Sequence, residues 1–401
     1  MKGRMWVGFA MFLFVYAVIN GFVGWQGWLF AKRVAPSLSP VAYGLVFALI
    51  AFSYLLGRVK LPGAVRPVGR LLKVIGSYYF AVMEFALLIA IPASLIGWIW
   101  DLAGDKPENY TLYAGWIAVC AIVIVLLWGS RNAWSPVVRT YPVQVDKRAN
   151  GLDKLRIAAV SDIHLGNVVG KRHLRRLIAM MDALKPDVIL LPGDVIDDSI
   201  EPFVRHRMSE LLQRLQARYG VYAVLGNHEY YGGHIEEYVD RMREIGIPVL
   251  RDEVVEIADG AVAVAGRKDR TAESMDAGGR LDVETLLDGV DRDKPIILMD
   301  HQPYQFAKAM EAGVDLLLCG HTHRGQFAPN HWVTKRLFEL DWGYVRKGVM
   351  HVAVSSGFGS WGPPIRIASR SEIVLVEMTF NSQASIRDIP EAERQEPSAV
   401  G

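Results

Sequence analysis

Five apolar runs in the second half of the chain end in residues that commonly bind metal ions. The runs are LRIAAVSD, DVILLPGD, VYAVLGNH, PIILMDH and DLLLCGH. Short apolar runs of this kind, rich in β-branched residues and bounded by turn residues, are typical of buried strands. Ligands beyond the carboxyl ends of neighbouring strands meet at one edge of an open α/β sheet. We therefore predict an α/β domain with one polar site at that edge.

The organisation of this domain follows from the segments between the strands. From about residue 137, strands alternate with polar segments of helical length, such as residues 172–184 and 202–217. Such alternation predicts two packed sheets flanked by helices. We place this domain at residues 133–380. The polar segment 381–401, with its Pro, Glu and Ser, is predicted to be a disordered tail.

Four apolar stretches precede this domain. They cover residues 5–30, 40–56, 75–100 and 113–128. About 20 apolar residues cross the hydrocarbon core of a bilayer. Several Trp residues lie near the ends of the stretches, as in the aromatic belts of membrane proteins. We therefore predict a transmembrane region of four helices over residues 1–132.

Lys and Arg are unevenly distributed beside these stretches. If the N-terminus is cytoplasmic, eleven of them lie on the cytoplasmic side, and only Lys32, Arg33 and Lys106 lie on the other. Positive residues favour the cytoplasmic side. We therefore predict a multi-pass protein of the inner (cytoplasmic) membrane with its α/β domain in the cytoplasm. The two cysteines, Cys120 and Cys319, imply no disulfide framework.

Glu84 is the one acidic residue well inside a predicted span. A carboxylate is unfavourable within the bilayer, and this favours a functional role. The alternative that the sequence leaves open is pairing with a polar group such as Asn20, or contact with lipid headgroups.

The residues that end the strands offer carboxylate, imidazole and amide oxygen rather than thiolate. Such a set suits Mn, Fe or Zn. A carboxylate can bridge two cations, and two cations about 3.5 to 4 Å apart can hold the attacking and the departing oxygen of a displacement at phosphorus. Asp194 is the natural bridge, and a hydroxide shared by the two cations is the expected nucleophile.

The motifs have a characteristic order. They are Asp-x-His (162–164), Gly-Asp-x-x-Asp (193–197), Gly-Asn-His-Glu (226–229), a lone His301 and Gly-His-x-His (320–323). The ordered set resembles the calcineurin-like metallophosphoesterase superfamily across the whole predicted domain. This resemblance implies an αββα sandwich with two divalent metal ions. Manganese is the favoured metal, with iron or zinc as alternatives.

The resemblance also implies a role for each residue. One metal is expected to be held by Asp162, His164, Asp194 and His323. The second is expected to be held by Asp194, Asn227, His301 and His321. His228 takes the role of the general acid that donates a proton to the leaving group. Asp197 is expected to orient a ligand histidine.

A closer resemblance is to the membrane-bound branch of this superfamily. It rests on HTHRGQ (321–326) and on the glycine loop and arginine of VSSGFGSWGPPIRIASRSEIVLVEM (354–378). Some members of this branch cleave the pyrophosphate of UDP-diacylglucosamine, and others are manganese-dependent phosphodiesterases. The chain departs from the pattern at Arg324, Ser356 and Ser371, where glycine, arginine and proline are usual. These departures affect the expected substrate more than the metal ligands.

We therefore predict a membrane-anchored phosphoesterase that hydrolyses a phosphodiester or pyrophosphate, with a lipid-linked substrate. Arg324 and Arg366 are candidates for binding a substrate phosphate. Aromatic residues near the last motif could rest against the bilayer, namely Trp332, Phe338, Trp342, Tyr344, Phe358 and Trp361.

Two other functions stay open at this point. One is a phosphodiesterase for a soluble nucleotide or signalling diester, whose spans are only an anchor. The other is a membrane sensor or assembly factor that binds metal without turnover. The formal net charge of +2 gives no support to nucleic-acid binding.

Overall fold

Residues 2–59, 62–380 and 394–395 are described by a computed structural model. The chain forms two units, Met1–Gly129 and Ser130–Gly401. The predicted disordered tail at 381–401 lies outside the described residues, apart from a two-residue strand at Arg394–Gln395.

The first unit is built of apolar helices. They are α1 (Lys2–Val34), α2 (Pro40–Ala51), α3 (Ser53–Arg58), α4 (Arg66–Ala103) and α5 (Tyr110–Trp134), with a short 3-10 turn at Gly63–Val65 before α4. The last turn of α5, from Ser130, belongs to the second unit. Among the described residues, three helical segments are long and apolar enough to cross a bilayer: Ala10–Val34, Gly63–Ala103 and Tyr110–Trp134.

The predicted span at 40–56 is divided into two helices. Phe52, between α2 and α3, has a φ of −96° and a ψ of 3°, which interrupts the helix. α2 is apolar but shorter than a membrane span. Asn20, in α1, is held by its neighbours: Tyr79 donates to its Oδ1 at 2.5 Å, and its amide donates to the carbonyl of Tyr16 at 2.7 Å.

The described part of the second unit contains two β-sheets. The strands are β1 (Val137–Val145), β2 (Lys154–Ala159), β3 (Val188–Pro192), β4 (Val221–Val224), β5 (Val249–Leu250), β6 (Glu253–Ile257), β7 (Val262–Gly266), β8 (Ile296–Met299), β9 (Leu316–Cys319), β10 (Gly343–Lys347), β11 (Met350–Val354), β12 (Glu372–Phe380) and β13 (Arg394–Gln395). The first sheet has the order β1-β12-β2-β3-β4-β5, and the second has the order β13-β10-β11-β9-β8-β7-β6.

Short helices cover the sheets. They are α6 (Lys171–Leu184), α7 (Ile200–Arg205), α8 (Met208–Leu212), α9 (Asn227–Gly232), α10 (Ile235–Glu244), α11 (Ala272–Met275), α12 (Val283–Leu286), α13 (Phe306–Glu311) and α14 (His331–Leu337), with a 3-10 turn at His323–Gly325. The single helix predicted at 202–217 is instead the pair α7 and α8. Arg207 interrupts it with a left-handed backbone, at φ 50° and ψ 49°.

The described apolar residues form three cores that show how the layers stack. Side chains on β2 alternate between two of these cores, as the two faces of a strand require. Leu155 and Ile157 join the core between the sheets, whereas Ala158 joins the core beneath the helices of the first sheet. The third core, which includes Leu298 and Phe306, lies on the outer face of the second sheet. The layers confirm the predicted αββα sandwich.

The strands that carry the motifs run parallel within each sheet. β2, β3 and β4 are parallel neighbours in the first sheet. β8 and β9 are parallel neighbours in the second. The chain segments after these strands therefore emerge at the carboxyl ends of their sheets, where the candidate ligands lie.

Candidate metal centre

The structure brings the motif residues together at this edge. Asp162 and His164 follow β2, Asp194 follows β3, Asn227 and His228 begin α9 after β4, His301 follows β8, and His321 and His323 follow β9. All of them are buried except His321, which is half-buried. Ligand-type side chains from five strands thus share one site.

The backbone of the turns that carry these residues is unusual. The φ angle is 52° at Asp162, 50° at His164, 52° at Asp194, 74° at His321 and 49° at His323. Non-glycine residues seldom adopt this left-handed region, and such residues cluster at functional sites, where the surrounding fold imposes the strain. The strained turns direct the side chains inward.

One group of side chains consists of Asp162, His164 and His323, whose ligand atoms lie within 4.8 Å of one another. Nε2 of His164 is 3.0 Å from Nε2 of His323, which is 3.4 Å from Oδ1 of Asp162. Two imidazole nitrogens at about 2.1 Å from one cation, and at right angles, would be about 3.0 Å apart. The spacing therefore fits a shared cation.

The protonation state of these rings also suits a cation. Burial lowers the pKa of His164 to about 4. Burial, together with the charges of His164 and Arg366, holds the pKa of His323 well below its ordinary value. Metal ligands must be deprotonated, and both rings lack the positive charge that would repel a cation.

Asp194, His301 and His321 form a second group. Nε2 of His301 lies 3.1 Å from Oδ2 of Asp194 and 3.1 Å from Oδ1 of Asn227. Nδ1 of His321 lies 2.8 Å from the same amide oxygen. Nδ1 of His301 is 2.8 Å from the carbonyl oxygen of Pro192 and can donate to it, which leaves Nε2 to bind a metal.

The Asp194 carboxylate lies between the two groups. Its Oδ2 is 3.9 Å from Nε2 of His164 and 3.1 Å from Nε2 of His301. Burial raises the pKa of Asp194, but the charges of His301 and His228 outweigh burial and hold this pKa well below its ordinary value. An ionised carboxylate in this position is suited to bridging two cations.

Glu229 has a structural role that was not predicted from the sequence. Its buried carboxylate accepts hydrogen bonds from the backbone nitrogens of Gly226 at 2.7 Å, Ile196 at 3.0 Å and Asp194 at 3.1 Å. Burial and the charge of Asp194 raise the pKa of Glu229 to about 8. Glu229 therefore ties the turn after β3 to the start of α9. Its place three residues after Gly226 is the spacing of a capping box, which was the available signal.

Two carboxylates face Nδ1 of His228. Oδ1 of Asp198 lies 2.7 Å away, and Oδ1 of Asp197 lies 3.4 Å away. Asp197 was expected to orient a ligand histidine and lies instead beside His228. Asp198 was not predicted, although the doubled acid of Gly-Asp-Val-Ile-Asp-Asp was a signal. Burial lowers the pKa of His228, but Asp194, Asp197 and Asp198 together raise it to about 12.

The two arginines predicted to bind a substrate phosphate occupy different surroundings. The Arg324 guanidinium lies over the Trp342 ring, 3.9 Å from its centroid. Arg366 is fully buried, with Nη2 at 3.1 Å from Nδ1 of His323 and a further hydrogen bond to the carbonyl of Gly359. Arg366 is thus buried against a candidate ligand, and its role in binding a substrate phosphate stays a prediction.

A cavity of about 290 Å³ opens beside the two groups. It is lined by Asp194, Asn227, His228, His321, Thr322, His323, Gly325, Gln326 and Trp361. The Gln326 side chain donates to the carbonyl of Trp361 at 2.8 Å and accepts from its backbone nitrogen at 3.1 Å. These bonds fix the loop that places the Trp361 ring 6.4 Å from the His228 ring.

The aromatic residues predicted to rest against a bilayer are not equally accessible. Phe358 is fully buried, because its ring packs against His173 with the centroids 4.3 Å apart, and this part of the prediction is wrong. Phe338, Trp342 and Tyr344 are half-buried. Trp332 and Trp361 are 66% and 49% exposed.

The chain is similar in sequence to known metallophosphoesterases. The profile of the calcineurin-like phosphoesterase family matches residues 155–325. A transmembrane protein with metallophosphoesterase domain from Danio rerio is 33% identical over 267 residues, or 64% of this chain and 61% of that protein. The chain therefore spans less than two thirds of the length of that relative.

Bacterial relatives are matched over more of their length. An uncharacterized metallophosphoesterase of Aquifex aeolicus is 32% identical over 241 residues, which cover 60% of this chain and 90% of that protein. One from Campylobacter jejuni is 30% identical over 290 residues, which cover 69% of this chain and 74% of that protein. On these matches and on the arrangement of its site, the chain belongs to the calcineurin-like metallophosphoesterase family.

Proposed function

We propose that the chain hydrolyses a phosphodiester or a pyrophosphate at a centre of two divalent cations. The observation that carries this proposal is the convergence of ligand-type side chains from five strands on two neighbouring groups, with Asp194 between them and His228 beside them. Asp162, His164, Asp194 and His323 would hold one cation, and Asp194, Asn227, His301 and His321 would hold the other. When bound, the cations supply positive charge for the phosphoryl oxygens and lower the pKa of water.

The side chains of the site do not select one metal. Imidazole nitrogens with carboxylate and amide oxygens accept manganese, iron and zinc alike. We propose manganese as the working metal, with iron or zinc as alternatives. Metal content after purification, followed by reconstitution of the stripped protein with each ion in turn, would decide among them.

His228 is proposed as the general acid. The carboxylates of Asp198 and Asp197 at its Nδ1 stabilise the protonated ring and fix its orientation. A protonated imidazole in this position can donate its proton to the departing oxygen as the bond to phosphorus breaks. The protein thus supplies an acid for the leaving group as well as the ligands that would hold the cations.

The proposed substrate is lipid-linked. The same chain carries three helical segments of membrane-spanning length, and its Danio rerio relative is described as a transmembrane protein. A site confined to a membrane meets the phosphoesters that reach the surface of that membrane. The exposed Trp361 ring at the mouth of the cavity offers an apolar contact for such a substrate.

The membrane setting itself is part of the proposal. We propose a multi-pass protein of the inner membrane, with four spans within residues 1–132, the second formed by α2 and α3 together, and with the catalytic domain, residues 133–380, in the cytoplasm. Protease treatment of closed vesicles tests this orientation. The catalytic domain should be cleaved in inverted vesicles and protected in right-side-out ones, and the reverse result would place the domain on the outer side.

The first test of activity is hydrolysis of bis(p-nitrophenyl) phosphate by the full chain in detergent, with and without Mn²⁺ and beside the His228→Ala variant. Turnover that needs the metal would support the dinuclear centre, and a loss in the His228→Ala variant that is larger for a diester with an alkyl leaving group would support the general acid. Equal rates on soluble nucleotide diesters and on lipid-linked substrates would favour the anchored soluble-diester enzyme instead. A folded, metal-loaded protein without turnover on either class would favour the metal-binding sensor.

A further inference from the structure

Helix α14 exposes apolar and basic side chains beside the candidate metal centre. Trp332, Val333 and Leu337 are 66%, 56% and 65% exposed, and Lys335 and Arg336 are exposed as well. All residues of α14 are described, and none of them is buried. A short helix that presents several large apolar side chains to solvent marks a contact surface rather than a packed element.

This surface is fixed to the rim of the site. The Thr322 hydroxyl, between the two histidines of the last motif, donates to the carbonyl of Asp341 at 2.5 Å. The Asp341 carboxylate in turn accepts from the hydroxyl of Thr334, within α14, at 2.6 Å. Phe338, directly after α14, lies with its ring centroid 6.0 Å from that of His321. Whatever α14 contacts is therefore held next to the mouth of the cavity.

The chemistry of the surface favours a lipid bilayer as the occupant. Trp is suited to the boundary between headgroups and acyl chains, and Val and Leu to the acyl side. Lys335 and Arg336 provide positive charge for anionic headgroups, and their long aliphatic stems can lie along apolar surface. The three helical segments of spanning length in the same chain bring a bilayer within reach.

We propose that α14 inserts its exposed face, Trp332, Val333 and Leu337, into the interfacial layer of an anionic bilayer and so holds the cavity mouth at the level of the lipid headgroups. This inference rests on the proposed function in so far as it gives a lipid-linked substrate a direct route into the cavity. Insertion itself requires no turnover, so it can be measured separately.

The chain offers a matched pair of positions for a test. Val333, in α14, is 56% exposed, and Val349, in the turn between β10 and β11, is 55% exposed. Lys347 pairs with Met350 beside that turn, whereas Gly343 pairs with Val354 at the other end of the hairpin, from which the chain continues to the glycine loop. Val349 therefore lies at the end of the sheet away from the metal centre.

The experiment uses the full chain in nanodiscs that contain phosphatidylglycerol and phosphatidylcholine. With Cys120 replaced by Ala and Cys319 buried, a spin label is attached to Val333→Cys or to Val349→Cys. Collision rates with apolar oxygen and with a water-soluble nickel complex are then compared. We expect oxygen to dominate at position 333 and nickel at position 349. Nickel-dominated collisions at both positions would overturn the proposal.

Two further measurements distinguish insertion into the bilayer from contact with a second copy of the chain and test the role of charge. Protection of position 333 from both reagents would mean that a second copy of the chain covers α14, which also overturns the proposal. Lys335→Glu with Arg336→Glu should move the label at position 333 towards nickel exposure, and retention of the oxygen signal would contradict the role of charge. Hydrolysis of bis(p-nitrophenyl) phosphate by the same samples reports on the proposed function. A failure of membrane insertion can therefore be distinguished from a failure of the proposed activity.

Discussion

Nη2 of Arg366 lies 3.1 Å from Nδ1 of His323, and both side chains are buried. Because the opposite nitrogen of His323 faces Asp162 and His164, the arginine contacts the back of a candidate ligand. Burial lowers the pKa of Arg366 to about 10, which still leaves the guanidinium charged near neutral pH. The arginine therefore packs against the side of the imidazole that faces away from Asp162 and His164.

We expect Arg366→Met to weaken metal binding by about 10- to 100-fold, as loss of a group that orients a ligand usually does. The KM for bis(p-nitrophenyl) phosphate at saturating metal should change little. Calorimetric titration with Mn²⁺ measures the first quantity, and steady-state kinetics measure the second. A raised KM with unchanged metal affinity would support the predicted role of Arg366 in substrate binding. Arg324→Met tests the other candidate arginine and should raise the KM without changing metal affinity, and thermal unfolding checks that each variant folds.

The shared position of Asp194 predicts a distinct metal stoichiometry. Asp194→Ala should lose both ions together with activity, because the carboxylate lies between the two groups of ligands. His301→Ala should lose mainly the ion on its own side. Elemental analysis of the purified variants counts the ions. An Asp194→Ala protein that keeps two metals and turns over would refute the bridge.

Removal of the proposed acid should affect rate and not metal content. His228→Asn is expected to lower kcat by about 10²- to 10⁴-fold, the usual contribution of general acid catalysis. The loss should be smallest for p-nitrophenol, a good leaving group that needs little protonation, and largest for an alkyl ester. A loss independent of the leaving group would contradict the role of acid.

The two carboxylates beside His228 should differ in importance. Asp198→Asn is expected to lower kcat more than Asp197→Asn, since Asp198 is closer to Nδ1, at 2.7 Å against 3.4 Å. Both variants should retain their metals. The comparison uses kcat for one alkyl diester, and a larger effect at Asp197 would reverse the assignment made from the distances.

The glycine loop leaves no room for a side chain at Gly359. A Cβ there would lie 1.9 Å from the carbonyl oxygen of Ile163, one residue before His164. Overpacking of this kind typically lowers the free energy of unfolding by about 1 to 3 kcal/mol, so we expect a lower unfolding temperature for Gly359→Ala. Gly170→Ala is the matched control, because a Cβ there meets nothing within 4 Å among the described residues. Equal melting temperatures would show that the loop can yield.

The sequence predicted that the candidate ligands meet at one edge, because each lies where a strongly apolar strand ends. The ends of β2, β3, β4, β8 and β9 are marked by Asp, Asn or His, and parallel pairing brings those ends together. Where these Asp, Asn and His residues lie depends only on the direction of each strand. The apolar pattern and the order of the motifs limit the possible directions. The αββα sandwich follows from the same alternation of strands and helices.

Features that depend on local backbone conformation could not be predicted from the sequence. Arg207 adopts a left-handed conformation that divides a predicted helix, and Phe52 divides a predicted span, although neither residue type signals a break. The contacts of Glu229 and Arg366 depend on the direction in which a side chain leaves a tight turn. Residue type shows that such groups can bind ions or backbone, but not which partner they meet.

β12 lies between β1 and β2, and Arg139 of β1 forms an ion pair at 2.7 Å with Glu372 at the start of β12. Every candidate ligand is synthesised before β12. While the ribosome is still making residues 372–380, the first sheet has an open edge on β2, and exposed strand edges invite pairing with other chains. A premature stop between Arg366 and β12 would therefore spare every candidate ligand and still leave the edge of β2 unpaired.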